Sequence, residues 1–306
     1  MKITRSRLLA PATVVLSAAL LSACGSSDSL EGSPSESAAA GDSAIVIGSQ
    51  DYYSNEIIAE IYAQALEAGG YDVERDFRIG QREVYVSEIE NGSIDLFPEY
   101  SGPLLQYWEP NTEARLSEDV YTALTEAAPE NLEILEQSEA TDQDAYVVTR
   151  AFADQYGLKT IEDLAKVDVP LTLGGNSEGE NRPNGPKGLA SAYGIEVGFT
   201  PIEDSGGPLT VKALTDNEIQ LAIIYTADPT ISDNDLVVLE DTKGLFLASH
   251  VVPVASADMD PGAQDIINKI STEMSPEELI ALNAQSVNDQ ANAADIAAGW
   301  LEENPV

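Results

Sequence analysis

Apolar and polar positions along the chain fall into two alternating periods, and the first hundred residues read as βαβαβ. Residues 44–47 are a short apolar run ended by Gly48. Ser54 is placed to cap a helix, and Ile57, Ile58, Ile61, Tyr62, Ala65 and Leu66 recur at helical spacing until Gly69-Gly70. Residues 71–79 alternate as a strand, and 82–90 form a short helix. Ile94, Leu96 and Phe97 then make a buried strand that Pro98, lacking an N–H, is expected to stop. Ser101-Gly102-Pro103 opens a helix with proline in the first turn. Glu99 and Tyr100 thus occupy a strand-to-helix corner at a carboxyl strand end, the edge where open α/β sheets bind ligands. Parallel pairing with right-handed crossovers places 50–55 and 99–103 on that same edge.

Residues 103–135 read as helical connections, and 144–149 as another strand. From Thr160 the pattern starts afresh, with strands at 171–173, 197–200 and 219–224 separated by helices at 186–193 and 208–214. Strands at 236–239 and 251–254 follow. The end is helical, with a capping box and first-turn proline in Ser275-Pro276-Glu277-Glu278. Two α/β units and a helical tail predict two lobes with a cleft between them.

Composition narrows the function. The 306 residues, 43% of them hydrophobic, can bury a large core in one or two domains. Fifteen basic residues against 53 acidic ones give a net charge of −38, which makes nucleic acid and anionic lipid poor partners for the folded part. At the N-terminus a basic head (Lys2, Arg5, Arg7) precedes an apolar run over 8–21 that is too short for a stable span. Its end, Leu21-Ser22-Ala23-Cys24, resembles the bacterial lipobox, so 1–23 is read as a lipoprotein signal peptide and Cys24 as the lipidated residue. Cys24 is the only cysteine, so no intramolecular disulfide forms. Residues 24–43 are rich in Ser, Gly, Ala, Pro and acid, a flexible tether with a reach of about 25 Å.

Machinery for catalysis is thin. His250 is the single histidine, so any Ser–His–acid or Cys–His nucleophile rests on it alone, and no histidine–cysteine cluster offers a transition-metal site. Acids such as Glu99 and Asp228 are candidates for a hydrolase pair, although 53 acids produce coincidental pairs. Asp233-Asn234-Asp235 lacks the glycine and closing glutamate of a calcium loop. No cofactor or metal is expected. What stands out is aromatic: Tyr100, Tyr146 and Tyr225 each lie at or beside a strand, and tyrosine faces attract cations, quaternary ammonium groups especially.

Gly48-Ser49-Gln50-Asp51-Tyr52, Ile94-Asp95-Leu96-Phe97-Pro98-Glu99-Tyr100-Ser101-Gly102, Arg182-Pro183-Asn184-Gly185 and Ile224-Tyr225-Thr226-Ala227-Asp228-Pro229 resemble the glycine betaine/choline/carnitine-binding proteins of osmoprotectant ABC importers. The resemblance runs from about 45 to 300 and implies a two-lobed type II periplasmic-binding-protein fold with a ligand cleft between lobes. It places lobe 1 at 44–145 and 227–306, and lobe 2 at 146–226. It also implies that Tyr100, Tyr146 and Tyr225 box a trimethylammonium group, that Asp144 lines the box, and that Arg182, beside Glu178, pairs with a ligand carboxylate. Arginine's fork suits that role, the alternative being a bridge to nearby Glu178 or Glu180. Gln50 stands where some betaine binders have lysine, and Asn55 shares its edge. The family's fourth cage tyrosine is replaced around Ser249-His250, with Tyr52 or Tyr53 as candidates for that wall.

The expected function is lipid-anchored, extracytoplasmic capture of a quaternary ammonium solute by a monomer, for delivery to ABC permease subunits. Ergothioneine or another betaine-like solute is the alternative within the fold. A surface hydrolase with paired carboxylates and a sensory or adhesive lipoprotein are the alternatives outside it. The acidity predicts self-repulsion relieved by screening. The melting temperature is therefore expected to rise from dilute buffer to molar NaCl, and a flat or falling profile contradicts salt adaptation.

Overall fold

The computed structural model describes residues 44–306, so the signal segment 1–23, Cys24 and the tether 24–43 lie outside the described residues. The chain builds two five-stranded sheets, one per lobe. In the first, β1 (Ile45–Gly48) leads through helix α1 (Tyr53–Ala68) to β2 (Val73–Asp76), then through α2 (Arg82–Glu90) to β3 (Leu96–Tyr100), and α3 (Ser101–Trp108) follows. Both β2 and β3 pair parallel to β1, as the βαβαβ pattern requires.

β4 (Leu132–Ile134) lies within the stretch read as helical connections, a correction to that reading. Three residues are too few to declare a period, and β4 gains its partner only through a distant strand. After β4 the chain crosses into the second sheet, made of β5 (Asp144–Thr149), β6 (Thr172–Gly175), β7 (Gly198–Pro201), β8 (Leu221–Tyr225) and β9 (Leu236–Val238). β10 (Val251–Ser256) returns to the first sheet, antiparallel between β3 and β4. The sheet orders are β2-β1-β3-β10-β4 and β7-β6-β8-β5-β9.

The expected return to the first lobe at 227 needs correction. The loop after β8 dips to the first lobe, where Asn283 Nδ2 donates to the Ala227 carbonyl at 3.0 Å. The chain then goes back to pair β9 with β5, Val148 opposite Val237. It leaves the second sheet only between β9 and β10. The two crossings lie side by side: Thr141 bridges His250, and Ser249 Oγ donates to the Asp142 carbonyl at 3.0 Å. His250 has a structural place there, its Nδ1 2.9 Å from the Ser138 carbonyl.

Pro98 does not end β3, contrary to expectation. It faces Pro253 in the register, and their carbonyls turn outward, to Asn55 Nδ2 at 2.7 Å and to the Leu135 N–H at 3.0 Å. Two prolines opposite each other at a non-hydrogen-bonded position forfeit no ladder bond. β3 thereby extends to Tyr100.

Apolar layers cover both faces of the first sheet. On one, Ile58, Ile61 and Leu66 of α1 pack with Ile267, Leu279 and Trp300 of the C-terminal helices. On the other, Tyr85 and Ile89 of α2 pack with Phe97, Leu104 and Leu124. Each face holds the carboxyl ends of β1 and β3 in fixed relation, which is what the site requires.

Candidate ligand-binding site

Three tyrosines converge at the hinge. Tyr52, in the turn from β1 to α1, and Tyr100, at the end of β3, are 4% and 5% exposed. Tyr225 ends β8 in the other lobe, and its ring centroid lies 4.7 Å from that of Tyr52. With Gln50, Asp142, Asp144, Arg82 and Arg182 they enclose a small cavity of about 20 Å³. A larger cavity of about 440 Å³ shares Arg82, Pro103, Asp144 and Arg182 with it and extends past Tyr107, Glu178 and Asn184. Two buried polar atoms on the small cavity's wall, Tyr100 Oη and Gln50 Nε2, make no hydrogen bond. A buried polar group left unpaired costs about 1–3 kcal/mol, a deficit that a ligand can relieve.

The charges form separate groups. Glu99, fully buried, takes a bidentate pair from Arg82 (2.7 and 2.9 Å), the Tyr85 hydroxyl (2.6 Å) and the Tyr100 N–H (2.6 Å). Arg182 reaches across the cleft from the second lobe to Glu83 on α2, again with two bonds, 3.0 and 2.9 Å. Beside that link Gln81 Nε2 donates to Ser205 Oγ at 3.3 Å.

Asp142 accepts from the Ala227 N–H and the Tyr52 hydroxyl, both at 3.0 Å. Burial nonetheless pushes its carboxyl up to about 7: losing water penalises the charge more than these two donors compensate, and the nearby Asp228 and Asp144 push the same way. Burial likewise raises the phenols of Tyr52, Tyr100 and Tyr225, which stay neutral. Asp144 Oδ2 accepts from Asn184 Nδ2 at 2.7 Å.

Of the residues expected from the sequence, Gln50, Tyr52, Tyr100, Asp144, Arg182 and Tyr225 share the small cavity's wall. Glu178 lines the larger cavity. Asn55 stands behind the wall, its Oδ1 accepting from the Gln50 N–H at 2.8 Å while its Nδ2 holds β3. Tyr146 is not on either wall. It is fully buried in the second lobe, edge-on to Phe246 at 5.0 Å, with its hydroxyl donating to the Asn184 carbonyl at 2.6 Å. It shares a face of β5 with Asp144 but sits two residues deeper, about 7 Å further along the strand. Tyr146 therefore supports Asn184. Arg182 also departs from expectation, since Glu83 already holds its fork, in place of Glu178 or Glu180.

Sequence reading missed Asp142, Arg82 and Glu83. Asp142 had a signal, since it precedes Asp144 by two and alternation gives both one face. The partnership of α2 with β3 and with the second lobe had none, because it arises from tertiary approach.

This is the fold of two-lobed substrate-binding proteins. A solved glycine betaine/carnitine/choline ABC transporter structure superposes with a TM-score of 0.69 at 23% identity, covering 85% of this chain and 98% of that one. A choline-binding protein in complex with choline gives 0.62 at 16% identity over 86% and 89%. The chain belongs to the OpuAC family, the substrate-binding domain of ABC-type glycine betaine transport systems, which matches residues 43–303. Among curated relatives, the carnitine transport binding protein OpuCC of Listeria monocytogenes is 29% identical over 163 residues, 52% of each chain. The ergothioneine transport permease/binding protein EgtU of Helicobacter pylori is 24% identical over 84% of this chain and 47% of its own length. The chain thus spans about half the length of these two relatives.

Asp142 makes stability depend on pH. Between its ordinary value of 3.8 and about 7 the folded protein holds a proton that the unfolded chain has released. Stability from this group is complete below the unfolded value and is lost as pH rises through about 7. Chemical unfolding from about pH 5 to pH 8 is expected to show a steeper loss in wild type than in Asp142→Asn, and parallel curves contradict this assignment.

Proposed function

We propose that the protein captures a quaternary ammonium solute in the cleft and delivers it to the permease subunits of an ABC importer. One observation carries the reading: tyrosine rings from both lobes and the acidic side chains of Asp142 and Asp144 converge on one enclosed spot. A quaternary ammonium cannot donate hydrogen bonds. It suits ring faces, each worth about 0.5–2 kcal/mol, better than it suits water-filled polar pockets. The Arg182–Glu83 link joins the lobes and fits a cleft that closes over its solute by hinge motion. Membership of a substrate-binding family supports transport over a hydrolase role for the cleft acids.

The motif ending at Cys24 supports lipid anchoring at the outer face of a bacterial membrane, with the domain acting as a monomer. The 440 Å³ cavity next to the tyrosines supports a second reading, a bulkier betaine such as ergothioneine, which the name of the Helicobacter relative also favours.

Isothermal titration with glycine betaine, choline, carnitine, proline betaine and ergothioneine tests the proposal. Micromolar binding of at least one is expected, and silence across the panel contradicts it. Tyr225→Ala is expected to weaken that binding by roughly 1–3 kcal/mol through the lost ring and the cavity left behind. Unchanged affinity removes Tyr225 from the site.

A further inference from the structure

The wall of the small cavity carries two guanidinium groups and two carboxylates, but the four are not equivalent. Arg82 is engaged with Glu99 and Arg182 with Glu83, each through two hydrogen bonds. Both cations therefore bring their own counter-charge, with Nε and Nη2 of each held by its acid. Asp144 has no such compensation, and Asp142, which holds its proton up to about pH 7, adds charge only above that. Their partners are neutral (Tyr52 and the Ala227 N–H for one, Asn184 for the other), and neither joins any ion pair among the described residues. Glu178 adds another acid on the adjoining cavity. The site is negative before a ligand arrives.

We propose that this cleft selects solutes of net positive charge over zwitterions, with Asp144 as a specificity-determining residue that rejects a ligand carboxylate. The inference rests on the quaternary-ammonium reading and names the charge class within it. A cation with a neutral tail leaves the two compensated pairs intact and offsets the charge of Asp144. A betaine with the same head brings a carboxylate within reach of Asp144, and the Nη1 donors of Arg182 that Glu83 leaves free meet it from a guanidinium whose charge Glu83 already balances. Repulsion between like charges in a partly dry cleft is far stronger than in water.

Choline and glycine betaine are the suitable probes, since they share the trimethylammonium head and differ in hydroxymethyl against carboxylate. Titration of the purified protein is expected to give choline the tighter binding, by about tenfold or more. Asp144→Asn is expected to shrink that ratio toward unity. Glu83→Gln, which frees Arg182, is expected to shift it toward betaine. Any general loss of lobe closure in that variant affects both ligands and cancels in the ratio. Tighter binding of glycine betaine by the wild type overturns the selection while leaving the quaternary-ammonium reading intact. A ratio unmoved by Asp144→Asn overturns the role of Asp144. Silence toward both probes and toward tetramethylammonium overturns the underlying reading and the selection with it.

Discussion

Glu99 is a carboxylate with no exposure to solvent, and the site depends on how its charge is satisfied. Moving an ion out of water costs several kcal/mol even in a relaxed protein, so such a group persists only when its oxygens are fully engaged. Here Arg82 supplies both ends of its fork, Tyr85 a hydroxyl and Tyr100 its own N–H. The network ties the start of α2 to the end of β3. It fixes the backbone of Tyr100 directly, and it sets the first turn of α2, from which Gln81 and Glu83 meet the second lobe. One buried charge thus orients part of the tyrosine-bearing wall and part of the contact between lobes.

The hinge provides the other constraint. Two crossings run side by side, held by the Thr141–His250 bridge and by the Ser249 hydroxyl on the Asp142 carbonyl. Because Asp142 lies in the crossing itself, its side chain touches both sources of the site: Tyr52 from the first lobe and the Ala227 N–H from the loop after β8. The candidate site and the crossing between lobes share residues here.

Much of this was legible in the chain. The helical spacing from Ile57 to Leu66 and the run ending in Phe97-Pro98-Glu99-Tyr100 placed α1, β3 and the corner that holds Tyr100. The tyrosine at the end of β8 followed from the same logic. Tyr146 did not, because strand alternation fixes the face of a residue but not its depth below the cleft, and two residues put the ring in the core. Arg182 was found as a residue of the cleft, but its partner Glu83 lies 99 positions away on another lobe, beyond any local pattern. The sequence pattern puts the return to the first lobe too early for a similar reason: the loop at Ala227 touches the first lobe, yet β9 goes back to β5.

The most direct test of the central claim is a crystal structure of the protein with choline bound. The account predicts the trimethylammonium group within about 6 Å of the ring centroids of Tyr52, Tyr100 and Tyr225, with Asp142 or Asp144 as its nearest acidic side chain. A headgroup lodged instead in the outer cavity beside Tyr107 and Glu178, away from those rings, would contradict it.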